Sequence, residues 1–365
     1  PRYSLGKNSM VKKKKAEFKV VVKGNFVSDD FKKEIEYHQK ASGEMCKDVL
    51  EYRNQTLILS GNRTNRIDLE DDFFTVKSNY YRGIVKGLLY IYFTGEILSI
   101  DSITFITDEE KDIPFEQRNL FAKEDREHSI STELLDKMFL YNEQGDVLTR
   151  ILMNIVLAKA NKERKLENIW RAFNALYDWK CVTNKSEKER INAILAYIKD
   201  ADNFHFKKTI KEIKKIIADR QQFSRQARVF IEGINFSDRN YSGDLDRFKE
   251  RYINLQYSDP ILRKKIKEMF KYYIESHSED FDKGTKKLYE NLKKEWNNQS
   301  EIATPTDFIK YFVWFVYHFR NKDFHGEYWP TNFLIENIPH KELNDYADSL
   351  ELLVIDLITY KGFLD

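Results

Sequence analysis

Cysteine is almost missing from this chain. Cys46 and Cys181 are the only two, far apart and outside any Cys-x-x-Cys spacing. That excludes a thiolate zinc site and a disulfide framework, and a reducing, cytoplasmic compartment is the expected location. No apolar run approaches the ~20 residues of a membrane-spanning helix, so no membrane partner is expected, and no signal-peptide pattern opens the sequence. Net charge is small too, with 61 basic against 59 acidic side chains leaving +2. A histone-like polycation is thereby excluded, and any nucleic-acid binding has to come from local basic faces. Carboxylate or His clusters at metal-ligand spacing are absent, so neither a metal nor another cofactor is expected. Internal repeats and low-complexity tracts are absent as well.

What is abundant is apolar and aromatic material, 41% and 14% of the residues, enough for a sizeable core. A length of 365 residues exceeds one ordinary core and points to two domains, or to one with a large extension. Residues 1–15 read as a flexible basic tail or, ahead of Met10, as an expression remnant. Lys12–Lys15 within it is a solvated run or a phosphate-touching arm. Phe18, Val20 and Val22 then alternate with Lys19, Val21 and Lys23, the period of a strand. Asn54–Ser60 reads as a strand with Gly61-Asn62 as its turn. Leu88–Phe93 is short and apolar, and Thr94-Gly95-Glu96 separates it from a second alternating run over Ile97–Ile106. That pair reads as a β-hairpin. A β-rich domain, a candidate sensor or regulatory unit, is therefore expected over residues 16–110, with a charge-rich linker over 111–128.

Helical signals take over from 129 to 365, so the expected fold class is α+β: a β-rich N-terminal domain followed by an all-α bundle. Val147, Leu148, Ile151, Leu152, Ile155 and Val156 form one stripe. Lys165–Lys180 is a second helix, and Ser186 with Glu189 is a capping box opening a third over Lys188–Asp200. Phe206–Glu232 has a basic outward face, and a second basic helix follows Asp259-Pro260. Each is either a solvated face or an RNA-docking surface built from Lys207, Lys211, Lys214, Lys215, Lys264 and Lys267. Thr304 and Pro305 open a helix striped with Phe308, Phe312, Phe315 and Phe319, a core or dimer contact. A last helix over Lys341–Tyr360 closes the bundle.

The most continuously apolar stretch, Tyr311–Phe319, ends in Arg320-Asn321-Lys322-Asp323-Phe324-His325-Gly326. Arg320 supplies a permanent forked cation suited to phosphate oxygens. His325 can give or take a proton near neutral pH, and Asn321 shares its helical face. This Arg-Asn-x-x-x-His-Gly run resembles the motif of HEPN-domain ribonucleases, in the form found in the Apea-like HEPN proteins of bacterial antiviral defence. Glu167–Tyr177 (ENIWRAFNALY) resembles an early helix of the same group.

The resemblance implies a metal-independent endoribonuclease, with Arg320, Asn321 and His325 catalytic. His325 would be general base or acid, Arg320 would stabilise phosphorane charge, and Asn321 would orient His325 or donate to a phosphate oxygen. One histidine cannot be base and acid in the same step. Two motifs meet across a dimer in HEPN enzymes, so a homodimer is implied. Glu167, Asn174 and His318 are further candidates for lining the cleft. A regulated toxin of anti-phage, abortive-infection defence is implied as well, with RNA as substrate and a phage-derived or inhibitory protein as partner. One departure concerns toxins silenced by nucleotidyltransferases, which carry Tyr two residues after the motif His; here that place is Glu327, and Tyr328 comes one later. The plainer reading makes His325 a helix-end histidine bonded to a carbonyl, with Arg320 paired to a carboxylate. Under it the chain is a catalytically silent RNA-binding dimer, or an adaptor whose β domain senses a ligand.

Overall fold

β1 (Ala16–Val27) is the spine of a six-stranded antiparallel sheet, because Phe18, Val20, Val22 and Phe26 bury one face while Lys19 and Lys23 stay in solvent. The computed structural model describes residues 16–38, 45–63, 73–75, 78–117, 130–181, 185–201, 204–218, 306–324 and 341–364. They fall into two compact units, Pro1–Ala160 with Leu364–Asp365, and Asn161–Phe363. The expected α+β class is what the structure has.

In the first unit the remaining strands are β2 (Phe31–His38), β3 (Met45–Arg53), β4 (Thr56–Arg63), β5 (Glu96–Ile106) and β6 (Glu110–Asp112). They lie in the order β2-β3-β4-β1-β5-β6. β3 and β4 are joined through Asn54 and Gln55, both left-handed at φ 48° and 59°, the backbone a two-residue hairpin requires. The turn expected at Gly61-Asn62 is not there: both residues lie inside β4. Gly61 is small for a different reason, since a Cβ would stand 2.1 Å from Asp48 Oδ1. Asp48 itself is 2% exposed and receives both guanidinium arms of Arg63, at 2.7 and 2.6 Å. The guanidinium sits 4.3 Å from the Phe18 ring and 4.8 Å from that of Tyr80.

The expected hairpin is half wrong. β5 forms, but Leu88–Phe93 belongs to a helix, α1 (Asn79–Thr94), whose N-terminus is capped by Ser78 accepting from the Tyr81 N–H. A short apolar run suits a buried helix as well as a buried strand. α1 buries Tyr80, Ile84, Lys86, Leu89, Ile91 and Tyr92 on several faces, which erases its period. Gly83 and Gly87, one turn apart, lay it against the sheet: a Cβ at either would meet Leu59 or Leu57 at under 3 Å.

α2 (Thr132–Asp136) and α3 (Glu143–Ala160) also belong to this unit, so its boundary falls after Ala160 rather than in 111–128. Lys33 of β2 pairs with Asp136 at 2.6 Å, and the Tyr90 ring of α1 lies 5.7 Å from Phe139. A helical period reveals a buried stripe but not what the stripe packs on. Val156 is half-buried and off the α3 stripe, which Ala158 completes.

The second unit contains α4 (Lys165–Lys180), α5 (Glu187–Asp200), α6 (Lys207–Ala218), α7 (Thr306–Phe324) and α8 (Lys341–Thr359) among the described residues. α8 packs on α4 and α6, and α7 on α5 and α6. Trp170, Phe173, Leu176, Ile191, Ile213, Phe312, Leu350 and Leu353 are the centre of its core. Both bonds of the capping box at Ser186 and Glu189 are present. Lys264, Lys267, Asp259, Pro260, Thr304, Pro305 and residues 219–232 lie outside the described residues. No described helix is long and apolar enough to cross a membrane.

Candidate functional site

α7 brings Arg320 to the rim of a core. Phe308, Phe312 and Phe315 are buried and Phe319 is half-buried, with the Phe315 ring meeting Tyr346 of α8 edge-on at 5.0 Å. That stripe fixes the helix, and Arg320 and Asn321 follow where it ends, both half-buried. Arg320 Nη1 donates to Asn321 Oδ1 at 2.6 Å and stands 3.6 Å from Glu187 Oε1. The guanidinium carbon lies 5.6 Å from the centre of the Trp170 ring, within cation–π range. His325, Gly326, Glu327 and Tyr328 lie outside the described residues, as does the side chain of His318 within α7.

The opposite wall is α4. Trp170, Asn174 and Tyr177 are spaced four and three apart and so share one face. Trp170 lies 6.1 Å from Tyr317 of α7 and 5.4 Å from Phe173, ring to ring. Tyr177 donates its hydroxyl to Glu187 Oε1 at 2.7 Å. Burial, and then that bond, holds the phenol far above its ordinary range, so it stays a donor at any physiological pH. Arg190 pairs with Asp178 and stacks on the Tyr177 ring at 5.3 Å. Among the described residues, three atoms here are buried without a hydrogen-bond partner, Trp170 Nε1, Asn174 Oδ1 and Arg190 Nε.

Of the expected lining residues, Asn174 faces the same way as Trp170 and Tyr177, whereas Glu167 is taken up by Arg171 and Arg164. On α6, Lys207, Lys211, Lys214 and Lys215 are all exposed while Thr209, Ile210, Ile213 and Ile216 are buried. Lys215 pairs with Glu212 at 2.6 Å, and Lys214 lies 4.6 Å over the Phe308 ring. Lys207 stands 5.6 Å from the ring of Phe204, itself 75% exposed.

Chemically, a guanidinium braced by an aromatic face and a carboxylate at a helix end can meet an oxyanion with its fork already aligned. The braces, Glu187, Tyr177 and Trp170, were not singled out from sequence as parts of a site. Glu187 follows a cap residue, where an acidic side chain is ordinary, and nothing in the spacing links position 187 to 320. No family model matches the chain, and comparison with curated proteins and with solved structures finds no match either.

Proposed function

We propose that the chain is a HEPN-type endoribonuclease that cleaves RNA without a metal, acts as a homodimer, and serves as a regulated toxin in anti-phage defence. The observation that supports this best is the Arg320-Asn321 pair at the end of a buried helix, braced by Glu187 and Trp170, at the head of Arg-Asn-x-x-x-His. In the reaction the ribose 2′-OH attacks the adjacent phosphorus and gives up its proton to a base. The bond from phosphorus to the 5′-oxygen breaks, and that oxygen takes a proton from an acid. The products are a 2′,3′-cyclic phosphate and a 5′-OH. His325 is one of the two proton carriers and its copy in the second subunit the other; Arg320 stabilises the phosphorane oxygens.

Cleavage of labelled RNA in excess EDTA tests this. Arg320→Ala and His325→Ala are each expected to lower the rate by roughly 10²–10⁴-fold while RNA is still bound. Wild-type rates in His325→Ala would end the catalytic assignment. A second reading, a silent RNA-binding dimer, draws on the exposed lysines of α6; it requires binding by the wild type with no cleavage at all.

A further inference from the structure

We propose that Glu187 is a positioning residue for Arg320, so that the arginine meets RNA phosphate only in the orientation this carboxylate and Tyr177 hold. The inference rests on the nuclease reading and adds to it a group outside the Arg-Asn-x-x-x-His run. One oxygen of Glu187 serves two helices: it accepts from Tyr177 of α4 at 2.7 Å and faces Arg320 of α7 at 3.6 Å. Those two contacts do different work. The tyrosine bond is short and directional, and it fixes where the carboxylate points. The arginine contact is longer than a hydrogen bond, so it attracts the guanidinium without enclosing it. Trp170 adds a third restraint from below at 5.6 Å, and Asn321 a fourth along the helix at 2.6 Å. Tyr177 is 2% exposed, which keeps water from competing for Glu187 on that side. Glu187 and Arg320 are each about one quarter exposed, so a phosphate can approach from the open side.

This arrangement makes Glu187 a competitor as well as a support. An incoming phosphate has to replace part of the attraction the carboxylate exerts, which favours a dianion-like, pentacoordinate phosphate over a ground-state monoanion. Removing Glu187 therefore leaves the guanidinium to the pulls of Asn321 and Trp170, and the productive orientation is less favoured.

A double-mutant cycle decides it, read in two ways: single-turnover cleavage, and affinity for an RNA made uncleavable by a 2′-deoxy substitution. Glu187→Ala is expected to lower cleavage about tenfold in the wild-type background and by less than about twofold in Arg320→Ala, because the loss passes through the arginine. Tyr177→Phe, which frees the carboxylate, gives a smaller loss with the same dependence on Arg320. Glu187→Asp, which shortens the reach, recovers part of it. A merely structural role would cost the same in both backgrounds, and equal losses, or no loss in Glu187→Ala, overturn the proposal. If Glu187→Ala does not fold, Glu187→Gln keeps an acceptor for Tyr177, drops the charge, and is read in the same cycle. A wild type that binds but does not cleave would bring down the nuclease reading alone. Non-additive changes of affinity, in either direction, would then still uphold the positioning of Arg320 by Glu187, and additive ones would overturn it.

Discussion

Asp48 holds an ionisable carboxyl almost wholly out of water, and Arg63 is what makes that tolerable. Burial pushes the carboxyl up and the guanidinium pulls it back, with burial the larger of the two. Arg63→Met is expected to destabilise the first unit by about 3–5 kcal/mol in urea unfolding, because it leaves a buried charge alone. Adding Asp48→Leu to it should recover most of that loss; a double variant as unstable as the single one would contradict the account. At this scale legibility was uneven. Arg320 and Asn321 announce themselves by chemistry and by following an aromatic run. Glu187 and the Asp48–Arg63 pair do not, since each depends on chain segments brought together by folding rather than on local spacing. Gly61 was misread because a glycine needed for space looks the same in sequence as one needed for a turn.

Elements with their own end signals were legible: Ser186 and Glu189 mark the start of α5, and Lys165–Lys180 is a helix with the expected ends. α1 was not, since its cap at Ser78 stands well ahead of the apolar run that drew attention. Within α1, Lys86 is 8% exposed. Burial lowers its ammonium below the ordinary lysine value of 10.5, against a smaller opposing pull from Asp146. The native state thus releases this proton sooner than the unfolded chain does. Its stability is lower where Lys86 is charged, and it rises as pH climbs through the lowered value toward 10.5. Lys86→Met should accordingly melt higher than wild type at pH 7, by an amount worth about 1 kcal/mol. The advantage should shrink as the buffer becomes alkaline. An advantage that is flat from pH 7 to 10 would mean that packing, not charge, sets the difference.

For the whole molecule, the α+β class was legible from the change of period along the chain, and the unit boundary was not, since α2 and α3 look like any other helices until their partners are known. The proposed homodimer, if each chain brings one motif, predicts a cleavage rate per subunit that falls on dilution, in step with dissociation seen by sedimentation. A concentration-independent monomer with full activity would refute it. The close seat of α1 on the sheet has a consequence for the order of assembly. Gly83 and Gly87 each cost the helix about 1 kcal/mol of intrinsic propensity relative to alanine. What they gain, contact with Leu50, Leu57 and Leu59, exists only once β3 and β4 are side by side. α1 is thus expected to form late, on a surface already assembled, which a low φ-value for α1 substitutions would confirm and a high one would refute. Its amide protons should then exchange with solvent whenever that surface opens, which would make residues 79–94 a built-in gauge of whether the sheet is closed.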